Sequence, residues 1–165
     1  MLTNEREITD FDTIDSVLSS SRVCRIALMN GEHPYIIPLC FGYNLEGGRL
    51  ELFFRCEEKG KKLDLIKNNN HAAFEIDKLY DIVKREEFYG FSAPSFHSIT
   101  GTGLIEVTTA IEKITGLEFI MKKYGEFTDN AKIPEQVLNS IAVLKLTADE
   151  FCCKAHNADG RPDGK

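Results

Sequence analysis

Leu50-Glu51-Leu52-Phe53-Phe54-Arg55-Cys56, running on into Glu57-Glu58-Lys59-Gly60-Lys61-Lys62-Leu63-Asp64-Leu65-Ile66, organises the reading of this chain. In the first half Leu50, Leu52 and Phe54 fall on one face of a strand and Glu51, Phe53 and Arg55 on the other, because successive strand side chains alternate. In the second half Leu63 and Ile66 sit one helical turn apart, and Asn68-Asn69-Asn70 closes the segment. A strand, a basic turn and a short helix therefore follow one another. A helix start exposes unpaired N–H groups and a partial positive charge, so Lys59, Lys61 and Lys62 are unfavourable there unless an anion is present. Arg55 adds a cation at the strand end, and Gly60 lets the backbone come close. A phosphate held at this turn collects several charge-assisted hydrogen bonds, each worth roughly 1.5–3 kcal/mol. The same lysines beside Glu57 and Glu58 also read as a solvated surface turn, and Gly-Lys-Lys is not a Walker loop.

Composition narrows the class. The 165 residues suit one domain, long enough to bury roughly 70% of the unfolded surface. A formal net charge of −6 argues against nucleic acid as a partner, since that affinity rests on neutralising phosphates. No apolar run has the length of a membrane span, and the start Met1-Leu2-Thr3-Asn4-Glu5-Arg6-Glu7 lacks a signal-peptide pattern, so a cytoplasmic protein without membrane partners is expected. Cys24, Cys40, Cys56, Cys152 and Cys153 are odd in number and include no Cys-x-x-Cys pair, so reduced thiols and no metal centre are expected.

In chain order, Thr9-Asp10-Phe11-Asp12 opens a short amphipathic helix with Ile14, Val17 and Leu18 on one side, ending near Ser20. Strands are read over Arg22 to Met29 and Pro34 to Tyr43, joined at Asn30-Gly31, a hairpin signal. Others follow over Leu50 to Arg55, Ala72 to Asp77, His97 to Thr108 and Ala142 to Leu146. Lys84 to Glu87 reads as a charged turn and Phe88 to Phe96 as an aromatic loop. Gly101 and Gly103 share one strand face, which fits either close approach by a flat partner or a barrel crossing or bulge. Thr109-Ala110-Ile111-Glu112 is a capping box. It starts a helix whose stripe Ile114, Leu117, Ile120, Met121 and Tyr124 reads as core and which ends at Gly125. Pro134 opens a short helix with Val137 and Leu138. About six strands with few, peripheral helices predict a mainly β protein, a closed or partly closed barrel. The domain is expected over 1–152, with a mobile tail over 153–165.

The strand from Pro34 to Tyr43 is unusual, because Tyr35, Ile37, Leu39, Phe41 and Tyr43 are apolar on one face and Ile36, Pro38 and Cys40 on the other. It should be covered on both sides. Pro38 removes a ladder donor and belongs at an edge or a bulge, so part of this backbone is open to a ligand or a second subunit, unless the strand is simply a bulged central one.

Cys24-Arg25-Ile26-Ala27, Pro34 to Tyr43, Leu52-Phe53-Phe54 with Gly60-Lys61-Lys62, Phe74-Glu75-Ile76 and Ser98-Ile99-Thr100-Gly101-Thr102-Gly103 stand in the order and spacing of one group. Over residues 4 to 152 the chain resembles the 5-nitroimidazole resistance proteins of the pyridoxamine 5′-phosphate oxidase-like, FMN-binding split-barrel superfamily. The resemblance implies a split β-barrel that dimerises with FMN at the subunit interface. It implies that Lys61 and Lys62, after Gly60 and with Ser98, hold the FMN phosphate, and that the backbone of Pro38, Leu39, Cys40 and Phe41 lies along the isoalloxazine. Arg55 and Cys56 belong to the same implied site. Where the group commonly reads Phe-His-x-Ala this chain reads Phe54-Arg55-Cys56-Glu57. Arg55 cannot exchange protons near neutral pH as an imidazole does, but it can clamp a phosphate or stabilise anionic charge. The implied activity is transfer of electrons from NAD(P)H or another donor to a small planar acceptor such as a nitroaromatic. The alternative is a non-catalytic module that stores or senses flavin or haem, with His71 and His97 as weak haem-ligand candidates.

Overall fold

The computed structural model describes residues 6–84, 92–125 and 133–156, the backbone alone for 81–84 and 92–94. Its elements are β1 (Glu7–Ile8), α1 (Phe11–Ser20), β2 (Cys24–Asn30), β3 (His33–Leu39), β4 (Gly42–Glu46), β5 (Arg49–Glu57), α2 (Lys61–Asn68), β6 (His71–Lys84), β7 (Ser92–Val107), α3 (Ala110–Tyr124), α4 (Glu135–Leu138) and β8 (Ile141–His156). Local chemistry explains the helix ends. Asp10 accepts a hydrogen bond from the Thr13 N–H at 2.9 Å to cap α1. Thr109 and Glu112 form both halves of the capping box on α3, which stops at Gly125 in the left-handed conformation, φ 75°.

The strands form one antiparallel sheet of eight, in the order β3-β2-β6-β7-β8-β5-β4 with β1 added to β8. The mainly β expectation holds, and the strand count rises from about six to eight among the described residues. Pro34 to Tyr43 is not one strand: it breaks at Cys40 and Phe41 into β3 and β4. These are the two outermost strands of the path and only two residues join them, so the sheet curls until its edges meet there. No ladder joins β3 to β4 among the described residues, and the barrel is split, not closed. The inside is filled by Ile26, Leu28, Leu50, Leu52, Phe54, Ile76, Ile99, Ile105, Leu144 and Leu146, with α1 and α2 closing it through Leu18, Leu63 and Ile66. On the other side of the sheet α3 packs Leu117 on Phe53 and Val143, and Phe53 stacks on Phe119 at 5.3 Å. The apolar stripe of α3 is only partly core: Leu117 is buried, but Ile114 is 43% exposed.

β6, β7 and β8 are longer than their apolar patterns suggested, with 14, 16 and 16 residues. Ser92 to Phe96 lies in β7 and not in a loop, whereas the rest of the expected charged turn and aromatic loop, 85–91, lies outside the described residues. β8 continues to His156, four residues past the expected domain end at 152; residues 157–165 of the expected tail lie outside the described residues.

A register shift between Thr102 and Gly103 pairs Thr102 with Glu150 and Gly103 with Ala148, leaving Asp149 as the extra residue of a bulge in β8. The close approach at the two glycines is made by the chain itself. A Cβ on Gly103 would lie 2.1 Å from the Thr147 carbonyl oxygen, and one on Gly101 2.5 Å from that of Glu150 and 2.6 Å from the Phe74 ring. Of the two readings of Gly101 and Gly103, the bulge is correct, and the space holds backbone in place of a flat partner.

Candidate functional site

The Gly60 turn is built as its residues dictate. β5 delivers Glu57, Gly60 takes φ 134°, ψ 165°, a conformation that side chains disfavour, and α2 begins at Lys61. Among the described residues no side chain caps α2. The Gly60 carbonyl accepts from the N–H of Leu63 at 2.9 Å, and Lys61 and Lys62 supply the first helical N–H groups. Lys61 is exposed and Lys62 half-buried, and among the described residues neither is ion-paired. The Lys61 ammonium lies 4.8 Å from the centre of the Tyr35 ring on β3. Lys62 acts on Cys56, whose thiol is pushed up by burial while the Lys62 charge pulls the other way. Cys56 is buried in the core, in register with Ala142 of β8, so its side chain does not face a ligand. Arg55 projects from the opposite face of β5, exposed, paired in register with Val143.

β3 is an edge strand, as Pro38 requires, and among the described residues it pairs only with β2. Ile37 and Leu39 pack on the core and Tyr35, on the same face, is half-buried, whereas Ile36, Pro38 and Cys40 are exposed. The expectation that both faces are covered therefore fails within one chain: Ile36 is 62% exposed. Phe41 is fully buried, and its N–H donates to the Tyr124 hydroxyl at 3.3 Å. That N–H is not free for a flavin edge, and the available backbone is that of Pro38 to Cys40. Tyr124 in turn donates to the Arg22 carbonyl at 2.6 Å. Lys123 donates to the carbonyls of Leu18, Ser19 and Ser21 with its ammonium 4.4 Å from the Phe41 ring centre, which pins the β3–β4 link to α1 and α3.

Ser98 is not brought to the lysines within one chain. It sits on β7 opposite Asp77 and Lys154, its neighbour Ile99 pointing into the core. Tyr35, under Lys61, belongs to the cross-strand row Tyr35, Leu28, Ala72, Gly103 on the core side. Ser98 is five residues along β7 from that row, roughly 17 Å, and faces outward. His71 and His97 also stand apart, since His71 pairs with Leu104, seven residues along β7 from His97 or roughly 23 Å. Both cannot ligate one iron in one chain. His97 packs edge-on to Tyr80 at 5.2 Å, its Nδ1 has no partner among the described residues, and burial holds its imidazole below the ordinary range.

The sequence reading missed two features. Arg25, in the outward register with Pro38 and Glu75, donates to Glu75 at 3.0 Å and to Asp77. Positions 75 and 77 lie two apart on one strand, so their shared face was legible. The second is a shallow cavity of about 370 Å³ between Met29, Pro34, His71, Ala73, Thr102 and the bulged Asp149. It opens on the same uncovered face, where Ala27 and Ala73 stand side by side.

An antiparallel sheet split where a proline-bearing edge strand crosses to the far edge, with a basic turn feeding a short helix, defines a protein of the split-barrel class. The family model described as pyridoxamine 5′-phosphate oxidase matches residues 10–155, and the chain belongs to that family. No curated protein matches it. Among solved structures it is similar to a candidate 5-nitroimidazole antibiotic resistance protein from Bacteroides thetaiotaomicron (TM-score 0.75, 21% identity, 90% of this chain and 86% of the other). It is also similar to the flavocytochrome Anf3 from Azotobacter vinelandii (TM-score 0.73, 17% identity, 94% and 72%). A third is the FAD and haem binding protein from Mycobacterium smegmatis (TM-score 0.74, 20% identity, 97% and 77%). These likenesses establish the fold. No helix among the described residues is long and apolar enough to cross a membrane.

Proposed function

We propose that this protein is an FMN-binding oxidoreductase that works as a homodimer. The observation that carries the reading is the Gly60 turn: an uncapped helix start, a glycine, and two lysines without ion-pair partners among the described residues. This set suits a phosphate monoester dianion, which would take N–H donors and both ammonium charges together. The ring would lie beside Pro38, Leu39 and Cys40, where an edge strand leaves backbone groups open. A flavin held there would supply the chemistry that links NAD(P)H or another donor to a small planar acceptor, with a 5-nitroimidazole the acceptor to try first. The chain positions the ring, excludes water and supplies positive charge from Arg55. A guanidinium is a donor of hydrogen bonds and not a proton shuttle, so any proton reaching the acceptor would come from solvent or another group.

A second copy is supported by the face of β3, β2, β6 and β7, where Ile36, Met29 and Leu104 are 62%, 52% and 40% exposed. Ser98 lies on that face, so it would join the phosphate site by crossing from the partner. Five unpaired cysteines suit a cytoplasmic setting.

The test is an absorption spectrum of the purified protein with mass spectrometry of the extracted ligand, followed by anaerobic addition of NAD(P)H and then a nitroimidazole. FMN that is bleached by the donor and restored by the acceptor is expected. Bound flavin or haem that neither reagent changes would favour a storage or sensing module, a reading that Arg55 in the place of a histidine keeps in view.

A further inference from the structure

The two lysines of the turn are not equivalent, and the difference is built by β3. Lys62 is half-buried and its charge acts on the Cys56 thiol of β5, while Lys61 reaches across to place its ammonium 4.8 Å from the centre of the Tyr35 ring. Tyr35 is half-buried on the core side of β3, held by its register with Leu28 and, through Leu28, with Ala72. The half-buried ring has less freedom to lose than Lys61, an exposed side chain with many rotamers. Asp64 lies in the same first helical turn and is a competing partner for Lys61. A cation over the face of an aromatic ring is attracted by the ring quadrupole without being neutralised, so it keeps its charge for an incoming anion.

We infer that Tyr35 is a positioning residue: it holds Lys61 ready for the phosphate, makes Lys61 the stronger of the two lysine contacts, and biases the protein toward phosphorylated over unphosphorylated flavin. This rests on the Gly60 turn being the phosphate site. Tyr35 also stands three residues before Pro38, on the order of 10 Å along β3. One strand thus ties the phosphate end of the site to the ring end, and Tyr35 sets the spacing between them through Lys61. Nothing in this role needs the Tyr35 hydroxyl.

Equilibrium titration of the flavin-stripped full-length protein with FMN and with riboflavin tests this, using wild type, Tyr35→Phe, Tyr35→Leu, Lys61→Met, Lys62→Met and the Tyr35→Leu/Lys61→Met pair. Circular dichroism checks that each variant is folded. We expect Tyr35→Leu to weaken FMN by about two- to fivefold, the range of an exposed cation–ring contact, with riboflavin unaffected. Tyr35→Phe should match wild type, Lys61→Met should weaken FMN more than Lys62→Met, and Tyr35→Leu should add nothing once Lys61 is gone. Equal losses for FMN and riboflavin, a loss in Tyr35→Phe as large as in Tyr35→Leu, or full additivity in the double variant would each overturn the role given to Tyr35. A wild type that prefers FMN while Tyr35→Leu has no effect removes the Tyr35 role alone. A wild type that binds both flavins alike removes the phosphate site and this inference with it.

Discussion

Replacing Gly103 with alanine should destabilise the protein before any cofactor is considered. An added Cβ would lie 2.1 Å from the Thr147 carbonyl oxygen and 2.9 Å from the Ala148 Cα, both backbone atoms of the bulged β8. Neither can swing aside as a side-chain tip would, so β7 and β8 must part or the bulge must re-register. Overpacking of this kind costs about 1–3 kcal/mol. At roughly 2–4 °C per kcal/mol for a chain of this size, the melting temperature should fall by about 2–12 °C. Thermal unfolding of flavin-free Gly103→Ala against wild type, followed by far-UV circular dichroism, is the assay. Gly101→Ala serves as a companion, since its Cβ would meet the Glu150 carbonyl oxygen at 2.5 Å and the buried Phe74 ring at 2.6 Å. An apo Gly103→Ala that melts with wild type but no longer takes up flavin would refute the bulge argument, because it would mean the space is kept for a ligand.

Three other outcomes follow from the same structure. Phe54→Ala, at a fully buried ring in the middle of β5, should cost about 3–5 kcal/mol in urea unfolding; a loss under about 1 kcal/mol would show that the core is not continuous there. Glu112 is held down to about 2, first by the Lys145 ammonium at 2.5 Å and then by Thr109. Because its folded-state value is depressed, its stabilisation is present above the ordinary glutamate value of 4.5 and is lost as pH falls toward 2. Glu112→Gln should therefore flatten the acid limb of melting temperature against pH in that window, and an unchanged limb would discount the pair. Ile36→Asp should leave the melting of a monomer nearly unchanged, as Ile36 is 62% exposed, but should shift the mass measured by light scattering from dimer to monomer. A dimer that survives it would place the interface elsewhere.

What the residues disclosed, and what they hid, has a physical pattern. Local signals carried: Asp10, the Thr109 and Glu112 box, Gly125, the Asn30-Gly31 turn and the run from Leu50 to Ile66 each specify their own geometry within a few positions. The part of β8 beyond Leu146 was hidden because its alternation changes phase. Before the bulge Ala142, Leu144 and Leu146 face the core, whereas after the extra residue Asp149 it is Phe151 and Cys153 that pack inward. A period of two read straight through Thr147 to Glu150 is lost there. The break at Cys40 and Phe41 was hidden for another reason, since Phe41 stays buried on the side an unbroken strand would have given it. Of the expected site, the turn and Pro38 with its free edge were legible. The occupied Phe41 N–H was not, because Tyr124 lies 83 residues away. Nor was the separation of Ser98 from Lys61, which depends on the register of strands far apart in sequence.

The central claim is that Lys61 and Lys62 grip a phosphate carried by a flavin. Flavin content per chain in purified Lys61→Ala/Lys62→Ala, beside wild type and with melting curves of both in flavin-free form, tests it most directly. A folded double variant stripped of FMN, with apo melting close to wild type, is the predicted result; a double variant that retains a full complement of FMN would contradict it.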